Sequence, residues 1–312
     1  MHRRLLVVTI VVFLTTPRLH ASCGSSSCPL DTSALFLPFA RGFTLDLSLQ
    51  YLDQDQPRIG TRAARIGEIS GPHHDEVRTM NRIATALLTY APTPRLHLSA
   101  AIPFVSRDHD HLASSHAHGR GLLPQHNTIP EAWHLEGVGD VMLQARANVA
   151  SHLWLIGGVK LPTGEHELRN PDGEIAELPV QPGSGTTDGI VGVSYQRSWF
   201  FTATYQFRTG DSDGYRLGNE LQLNAGSVHT FTPRLDLLLQ LNARIRAKDA
   251  IEDEPEEEAF TGGTFVYASP GLRFSLHRAS VYAIVQFPLR QDVKALQLTS
   301  DRNYVVGLQT RF

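Results

Sequence analysis

The chain ends with the alternating stretch NYVVGLQTRF, residues 303–312. Side chains of a β-strand point alternately to opposite faces, so residues two apart share a face. Counted back from Phe312, one face carries Leu308 and Val306, whereas the other carries the polar Gln309. This stretch is therefore predicted to form a strand with one apolar side that ends on an aromatic residue.

Similar alternation recurs along the chain at the spacing of β-hairpins. The predicted strands are 42–52, 77–91, 95–107, 138–150, 153–162, 187–198, 200–209, 216–231, 234–247, 263–276, 280–290 and 302–312. Short turns between them alternate with longer connections at 53–76, 108–137, 163–186, 210–215, 248–262 and 291–301. A secreted β-sandwich also alternates, but it explains neither this rhythm nor the terminal aromatic residue.

These features predict an all-β fold: a transmembrane, antiparallel, up-and-down β-barrel of about 12 strands, with short periplasmic turns and long external loops. The expected location is the outer membrane of a Gram-negative bacterium. A mean hydropathy of -0.17 fits this fold, because barrel strands carry a polar residue at every second position. The expected partners are outer-membrane lipids, the barrel assembly machinery and a small-molecule solute. The net charge of -3 gives no reason to expect nucleic acid.

The N-terminal 21 residues have the features of a secretory signal peptide. Basic residues at positions 2–4 precede an apolar run at 5–14, and Ala21 supplies a small residue at the expected cleavage point. The run is too short to span a bilayer. The predicted organisation is a signal peptide at 1–21, a periplasmic tail or lumen plug at 22–41, and the barrel at 42–312.

Two cysteines, Cys23 and Cys28, follow the predicted cleavage point. The oxidising periplasm permits a disulfide between them. Their spacing also suits a soft metal ion. Lipidation of Cys23 is a third option, although His20 stands where a lipoprotein signal would have leucine. These alternatives stay open.

Several short segments carry a family resemblance. They are GVGDV at 137–141, KLPTG at 160–164, QPGSG at 181–185, YASPG at 267–271, and RDHDH at 107–111 after IPFV at 102–105. In their order and spacing they resemble the outer-membrane family named for the meta pathway of phenol degradation, over about residues 75–312. The resemblance implies a barrel that carries small organic compounds across the outer membrane. Considered without the resemblance, KLPTG is predicted to end a strand and open a turn, and GSG is predicted to be a flexible segment that leads into the next strand.

Polar positions of the alternating strands are predicted to face the lumen. The lumen residues predicted as a site are Asp140, Arg146, Glu220, Arg244, Arg246 and Arg273, within an inward set that also contains Asp46, Lys160, Arg208, Asp236, Arg290 and Arg311. Two interpretations are open: crossing ion pairs that line the wall, or a basic track at 244–311 for anionic or aromatic solutes. The predicted function is passage of small molecules, with aromatic or hydrophobic compounds among the candidates.

Histidines cluster in the predicted external loop 108–137. Two His-x-His pairs, His109 with His111 and His116 with His118, present imidazoles at a spacing that suits Cu or Zn. The alternative function is therefore a metal-binding or structural barrel, although no cofactor is firmly indicated and such a loop can simply be solvated. The acidic run at 249–258 likewise fits a Ca²⁺ site or a solvated loop.

The sequence does not predict an enzyme. It contains no Gly-x-Ser-x-Gly nucleophile motif. The histidines that could act as general bases lie in predicted loops, without a clearly paired serine.

Overall fold

The computed structural model describes residues 30, 41–68, 75–114, 128–169, 173, 175–212, 214–252 and 257–312. The predicted signal peptide lies outside the described residues, and so does the 22–41 segment apart from Leu30 and Arg41. Two 3-10 helices, Leu178–Val180 and Glu257–Phe260, are described. Neither is long and apolar enough to cross a bilayer.

The regular structure is otherwise β. The described strands are β1, Gly42–Gln54; β2, Gln56–Gly60; β3, Arg62–Ala63; β4, Asp75–Thr93; β5, Leu96–Ser114; β6, Thr128–Val138; β7, Met142–Ala150; β8, Leu153–Lys160; β9, Asp188–Gln196; β10, Trp199–Arg208; β11, Tyr215–Arg216; β12, Glu220–Thr232; β13, Leu235–Arg246; β14, Ala250–Ile251; β15, Gly263–Ser275; β16, Ala279–Thr299; and β17, Asn303–Arg311.

Twelve wall strands close into an antiparallel barrel, in which β6 and β7 together form one strand. Sequential wall strands pair with one another, and β1 pairs with β17, where Leu47 lies opposite Leu308. Closure leaves no sheet edge, so every wall strand has a hydrogen-bonding neighbour on both sides. The predicted fold, including its strand number, is confirmed.

The two faces of β13 show how the wall separates lipid from lumen. Leu239 and Leu241 are 39% and 53% exposed, whereas Gln240 and Asn242, which alternate with them, are 4% and 1% exposed. The outward residues belong to an apolar band around the barrel that faces lipid. The inward residues belong to a polar interior, in which Asn242 donates to Asn224 at 2.6 Å.

Five of the six predicted external connections are partly strand, so these loop assignments are wrong; the short strand β11 begins in one of them, the short strand β14 lies in another, and longer strands extend into the other three. β5 continues to Ser114 and pairs with β6, which begins at Thr128 within the predicted loop 108–137. β16 continues to Thr299 and pairs with β2, so that the predicted loops 291–301 and 53–76 join one sheet. Pairing above the membrane satisfies backbone groups that a loop would leave to water.

The predicted strand 138–150 is interrupted. β6 ends at Val138 and β7 begins at Met142, with residues 139–141 outside the ladder. The amide of Gly139 still donates to the Pro103 carbonyl at 2.8 Å, which keeps the wall closed there. Asp140 lies in this interruption, so strand alternation does not fix the direction of its side chain, which pairs with Lys160.

A β-bulge changes the face of residues near the external end of β16. Val266 pairs with Arg290, but Tyr267 pairs with Pro288, so Leu289 is an extra residue. One extra residue reverses the alternation beyond it. The prediction that Arg290 faces the lumen is therefore wrong: its side chain is 60% exposed and pairs with Asp292. Arg311, also predicted inside, is exposed.

Gly307 makes room for a buried tyrosine inside the barrel. Tyr282 of β16 lies directly opposite Gly307 of β17, is 1% exposed, and donates its hydroxyl hydrogen to Asp46 at 2.8 Å. A Cβ atom on Gly307 would overlap the tyrosine ring. The glycine in the terminal strand is therefore explained by a side chain that crosses over it.

We expect Gly307→Val to destabilise the barrel by about 1–3 kcal/mol, because the added side chain would overlap the buried Tyr282 ring and force it to shift. The matched control is Gly157→Val, since a Cβ atom on Gly157 meets nothing within 4 Å. That variant should change the free energy of unfolding by less than about 0.5 kcal/mol. The measurement is the urea midpoint of unfolding in lipid vesicles. Equal midpoints for the two variants would contradict this packing.

Candidate functional site: the barrel lumen

The lumen contains a cavity of about 350 Å³. Hydroxyl and amide side chains from opposite walls line it, among them Ser48, Thr204 and Gln222. Apolar side chains lie between them, including Leu87 and Met142. The lining is thus mixed in polarity.

A cluster of apolar side chains packs across the lumen near the short-turn end. Its buried members are Ala91, Phe200, Leu238, Tyr282, Ile284 and Val305. Leu30, which precedes the first wall strand, packs against this cluster and also lines the cavity. A residue of the segment 22–41 therefore lies inside the barrel.

A ladder of ion pairs crosses the inner wall from β8 to β13. We call its five side chains, Lys160, Asp188, Arg208, Glu220 and Arg244, the charge ladder. Successive nitrogen–oxygen distances along it are 3.1, 3.5, 3.7 and 2.7 Å. Its carboxylates are fully buried or nearly so, with Asp188 at 0% and Glu220 at 2% exposure. Buried charges are tolerated only when they are paired, so each strand supplies the counter-ion of its neighbour.

Asp140 extends the ladder and fastens the connection between β8 and β9. Its carboxylate accepts from Lys160 Nζ at 2.6 Å and from the backbone amides of Gly164 and Ser184, both at 3.0 Å. The Ser184 hydroxyl donates to it at 2.6 Å. One carboxylate thus binds both ends of a loop that spans about twenty residues.

The glycines of three sequence motifs meet at this point. A Cβ atom on Gly164 would lie 2.6 Å from the Gly139 carbonyl carbon and 2.7 Å from the Gly183 Cα. A Cβ atom on Gly183 would in turn overlap the backbone of Gly164. Backbone approaches backbone here, so no side chain fits. GVGDV, KLPTG and QPGSG are therefore parts of one packed junction, and the interpretation of GSG as a flexible segment is wrong.

Five of the six predicted lumen residues fall into three groups. Asp140 and Arg146 line the cavity. Glu220 and Arg244 belong to the charge ladder. Arg273 pairs with Asp236 at 2.9 Å and lies opposite it in the ladder of backbone hydrogen bonds.

Arg246, the sixth predicted lumen residue, binds Asp249 in the external connection that follows β13. Its guanidinium donates to both Asp249 oxygens at 2.7 Å. Asp249 also accepts from the Tyr215 hydroxyl at 2.6 Å and from the Gly218 amide at 2.7 Å. Burial, together with the nearby Asp249 carboxylate, raises the pKa of Tyr215 well above its usual range. Asp249 therefore has a structural partner set, which accounts for one residue of the acidic run.

Sequence reasoning missed Asp188 and Ser184. Asp188 is the first residue of β9 and lies opposite both Lys160 and Arg208. Strand alternation placed Lys160 and Arg208 inside. Buried cations on β8 and β10 need a counter-ion, and β9 lies between these two strands. That pairing was the available signal for Asp188. Ser184 had no such signal, because its position depends on the loop fold.

His109 and His111 lie on β5 and not on an external loop. They are 0% and 3% exposed, and their rings lie 5.7 and 4.6 Å from the ring of Trp133 on β6. His109 Nδ1 is 2.8 Å from the Thr79 hydroxyl, and His111 Nε2 is 3.1 Å from Glu131. Placing these two histidines on a solvated loop is wrong, because pairing with β4 and β6 extends the sheet beyond them.

The partner pair, His116 and His118, lies outside the described residues. Among the residues that are described, no three His, Cys, Asp or Glu side chains come together as a metal site. The copper or zinc site stays a prediction, and the described part of the chain gives it no support.

We expect Glu220→Gln to lower the free energy of unfolding by about 3–5 kcal/mol, because it leaves the buried Arg244 without its counter-ion. The matched control is Asp53→Asn, which breaks the exposed Arg78–Asp53 pair of 2.6 Å. An exposed pair contributes about 0–1 kcal/mol, so this control should remain close to the parent. Urea unfolding in vesicles measures both. A Glu220 variant as stable as the Asp53 variant would show that the ion pairs of the charge ladder do not contribute to the stability of the barrel.

No protein-family model and no curated protein sequence matches the chain. Among solved structures, an outer-membrane channel from Pseudomonas putida F1 is similar, with a TM-score of 0.61 and 13% identity over 91% of this chain and 100% of that chain. The match to the toluene transporter from Pseudomonas putida covers 95% of this chain and 100% of that chain, at 13% identity and with a TM-score of 0.48. At such identities the likeness establishes the fold alone. The chain is a twelve-stranded β-barrel of the Gram-negative outer membrane.

Proposed function

We propose that the barrel passes small, uncharged organic molecules, including single-ring aromatic compounds, across the outer membrane. The observation that carries this proposal is the lumen cavity of about 350 Å³ with its mixed lining. An apolar cavity of about 150 Å³ is large enough for benzene. The lumen therefore has room for a single ring with polar substituents.

The charges of the wall favour an uncharged solute. Asp140 and Asp46, which together with Arg146 are the three charged side chains that line the cavity, already accept hydrogen bonds from Lys160 and Tyr282. The charge ladder beside them is internally paired. A charged solute would have to displace these buried pairs, whereas a hydroxyl group needs only the hydroxyl and amide groups of the lining. Of the two interpretations of the lumen charges, paired wall residues are favoured over a basic track.

The junction around Asp140 supports the family resemblance as part of this proposal. The three glycine motifs that resemble the phenol meta-pathway family are the segments that meet there, next to the cavity. The similar channel from Pseudomonas putida F1 agrees with a channel function.

We further propose that residues 22–41 act as a plug. Leu30 packs on the apolar cluster that crosses the lumen and forms part of the cavity lining. Of the two alternatives for this segment, an inserted plug places an apolar side chain where it is removed from water. A free periplasmic tail would leave Leu30 solvated.

The cavity is tested by a pair of neighbouring alanines on opposite faces of β5. Ala101 lines the lumen cavity, and Ala100 faces lipid. We expect Ala101→Trp to remove most of the flux of an uncharged dihydroxybenzene into proteoliposomes, because the indole fills the cavity. Ala100→Trp is the control and should keep the parent flux. Protein-free vesicles give the background, and equal flux through the two variants contradicts passage through this cavity.

The plug is tested at Leu30. Leu30→Asp puts a carboxylate against the apolar cluster, which disfavours the inserted position of the plug. The plug should then dissociate from the lumen, and ion conductance in planar bilayers should rise. Leu30→Met, which nearly conserves volume and polarity, should conduct like the parent. Identical conductance of the aspartate variant and the parent would show that this segment does not close the lumen.

A further inference from the structure

The end of the barrel that carries the short turns has an aromatic girdle. We call this end the inner rim; it comprises residues 41–43, residues 311–312 and the five short turns, 94–95, 151–152, 197–198, 233–234 and 276–278. Phe43 and Tyr90 stack there with ring centroids 4.6 Å apart, and Tyr195 lies 5.0 Å from Trp199. Phe231 is 64% exposed. Exposed aromatic rings in such a girdle lie at the level of the lipid headgroups.

The inner rim is strongly basic. Its exposed arginines are Arg41, Arg95, Arg197, Arg234, Arg278 and Arg311. Over the described residues of the rim, no Asp or Glu side chain is exposed, since Asp46 and Asp236 point into the lumen and are buried. The opposite end differs, because exposed carboxylates such as Asp55, Glu136 and Asp301 lie among its cations.

Four of these arginines have no carboxylate partner among the described ion pairs: Arg95, Arg197, Arg234 and Arg278. They are spread over four separate turns, so the charge surrounds the barrel instead of forming one patch. Arginine binds phosphate with a planar fork of N–H groups. A ring of arginines at headgroup level matches the phosphates of an anionic bilayer surface.

A groove in the lipid-facing wall lies partly on β4 and β5, the two strands that the Arg95 turn connects. Its volume is about 470 Å³ and its lining is almost entirely apolar. Tyr90, Leu98, Ala145 and Gly157 lie side by side on four neighbouring strands, so large side chains give way to small ones across the row. Leu98 lies three residues from Arg95, about 10 Å along the strand.

We propose that the inner rim binds anionic phospholipids of the periplasmic leaflet, each with its phosphate on a rim arginine, and that the lipid at Arg95 has an acyl chain in the groove. Both halves of such a lipid find a matching surface at the correct relative height. A soluble anion would use the arginines and leave the apolar groove empty. An acidic protein would match the charge, but it would have to bind at the level of the aromatic girdle, where the lipid headgroups lie.

The charge requirement is tested with the full-length protein in detergent. Native mass spectrometry gives the dissociation constants of a diacyl phosphatidylglycerol and a diacyl phosphatidylcholine with the same chains. The rim variant carries Arg95→Gln, Arg197→Gln, Arg234→Gln and Arg278→Gln. Its matched control, with the same change in net charge at the external end, carries Arg65→Gln, Arg169→Gln, Arg216→Gln and Arg302→Gln. Heat-dependent gel mobility verifies that each variant is folded.

The parent and the control should prefer the anionic lipid by at least about tenfold, because each arginine near an anionic surface contributes about fivefold. The rim variant should lose this preference. A rim variant that keeps the preference, or a control that loses it, overturns the proposal.

The groove is tested separately with Gly157→Phe, which fills it without changing charge. This variant should bind the diacyl anionic lipid more weakly than the parent and bind soluble glycerol phosphate equally well. Unchanged lipid affinity would overturn the groove. Displacement of the lipid by an equal concentration of glycerol phosphate would identify a free-phosphate site, and displacement by polyglutamate would identify an acidic macromolecule; either result overturns the lipid assignment.

Discussion

The pairing of β1 with β17 is the constraint on which the rest of the structure depends. Within a bilayer no water is present to accept or donate hydrogen bonds, so an open sheet edge would leave a row of unpaired backbone groups. Pairing from Thr44 with Arg311 to Leu52 with Asn303 removes that edge. The same pairing fixes the register of the first and last strands, and hence which of their side chains face lipid. Gly307 belongs to this seam, and Tyr282 of the neighbouring β16 crosses over it to reach Asp46 of β1, which explains why a glycine is required there.

Closure creates a lumen that must then be filled with compatible side chains. Charges placed there are removed from bulk water, and they persist because neighbouring strands supply their counter-ions. The charge ladder is the result, and Asp140 extends it into the loop between β8 and β9. Because the carboxylate of Asp140 binds both ends of that loop, the glycines at 139, 164 and 183 pack backbone against backbone. The cavity lies beside this junction, so the residues that hold the wall together also shape the proposed solute path.

The two ends of the barrel face different surroundings and differ accordingly. At the external end, β5, β6 and β16 continue beyond the length needed to cross a bilayer, so that His109 and His111 are packed inside a raised wall. At the inner rim the connections are short and carry exposed arginines above an aromatic girdle. Leu30 lies between these two ends, in the lumen.

The sequence by itself determined the strand number, the closed antiparallel fold and the inward position of residues such as Glu220 and Arg244, because alternation with a period of two is a local property of each strand. Only the tertiary structure decided the face of Arg290, since a single bulged residue at Leu289 reverses the alternation beyond it. It also decided the burial of His109 and the meeting of Gly164 with Gly183. These outcomes depend on which strand or loop lies alongside, and contacts between segments far apart in the chain leave no periodic trace in either of them.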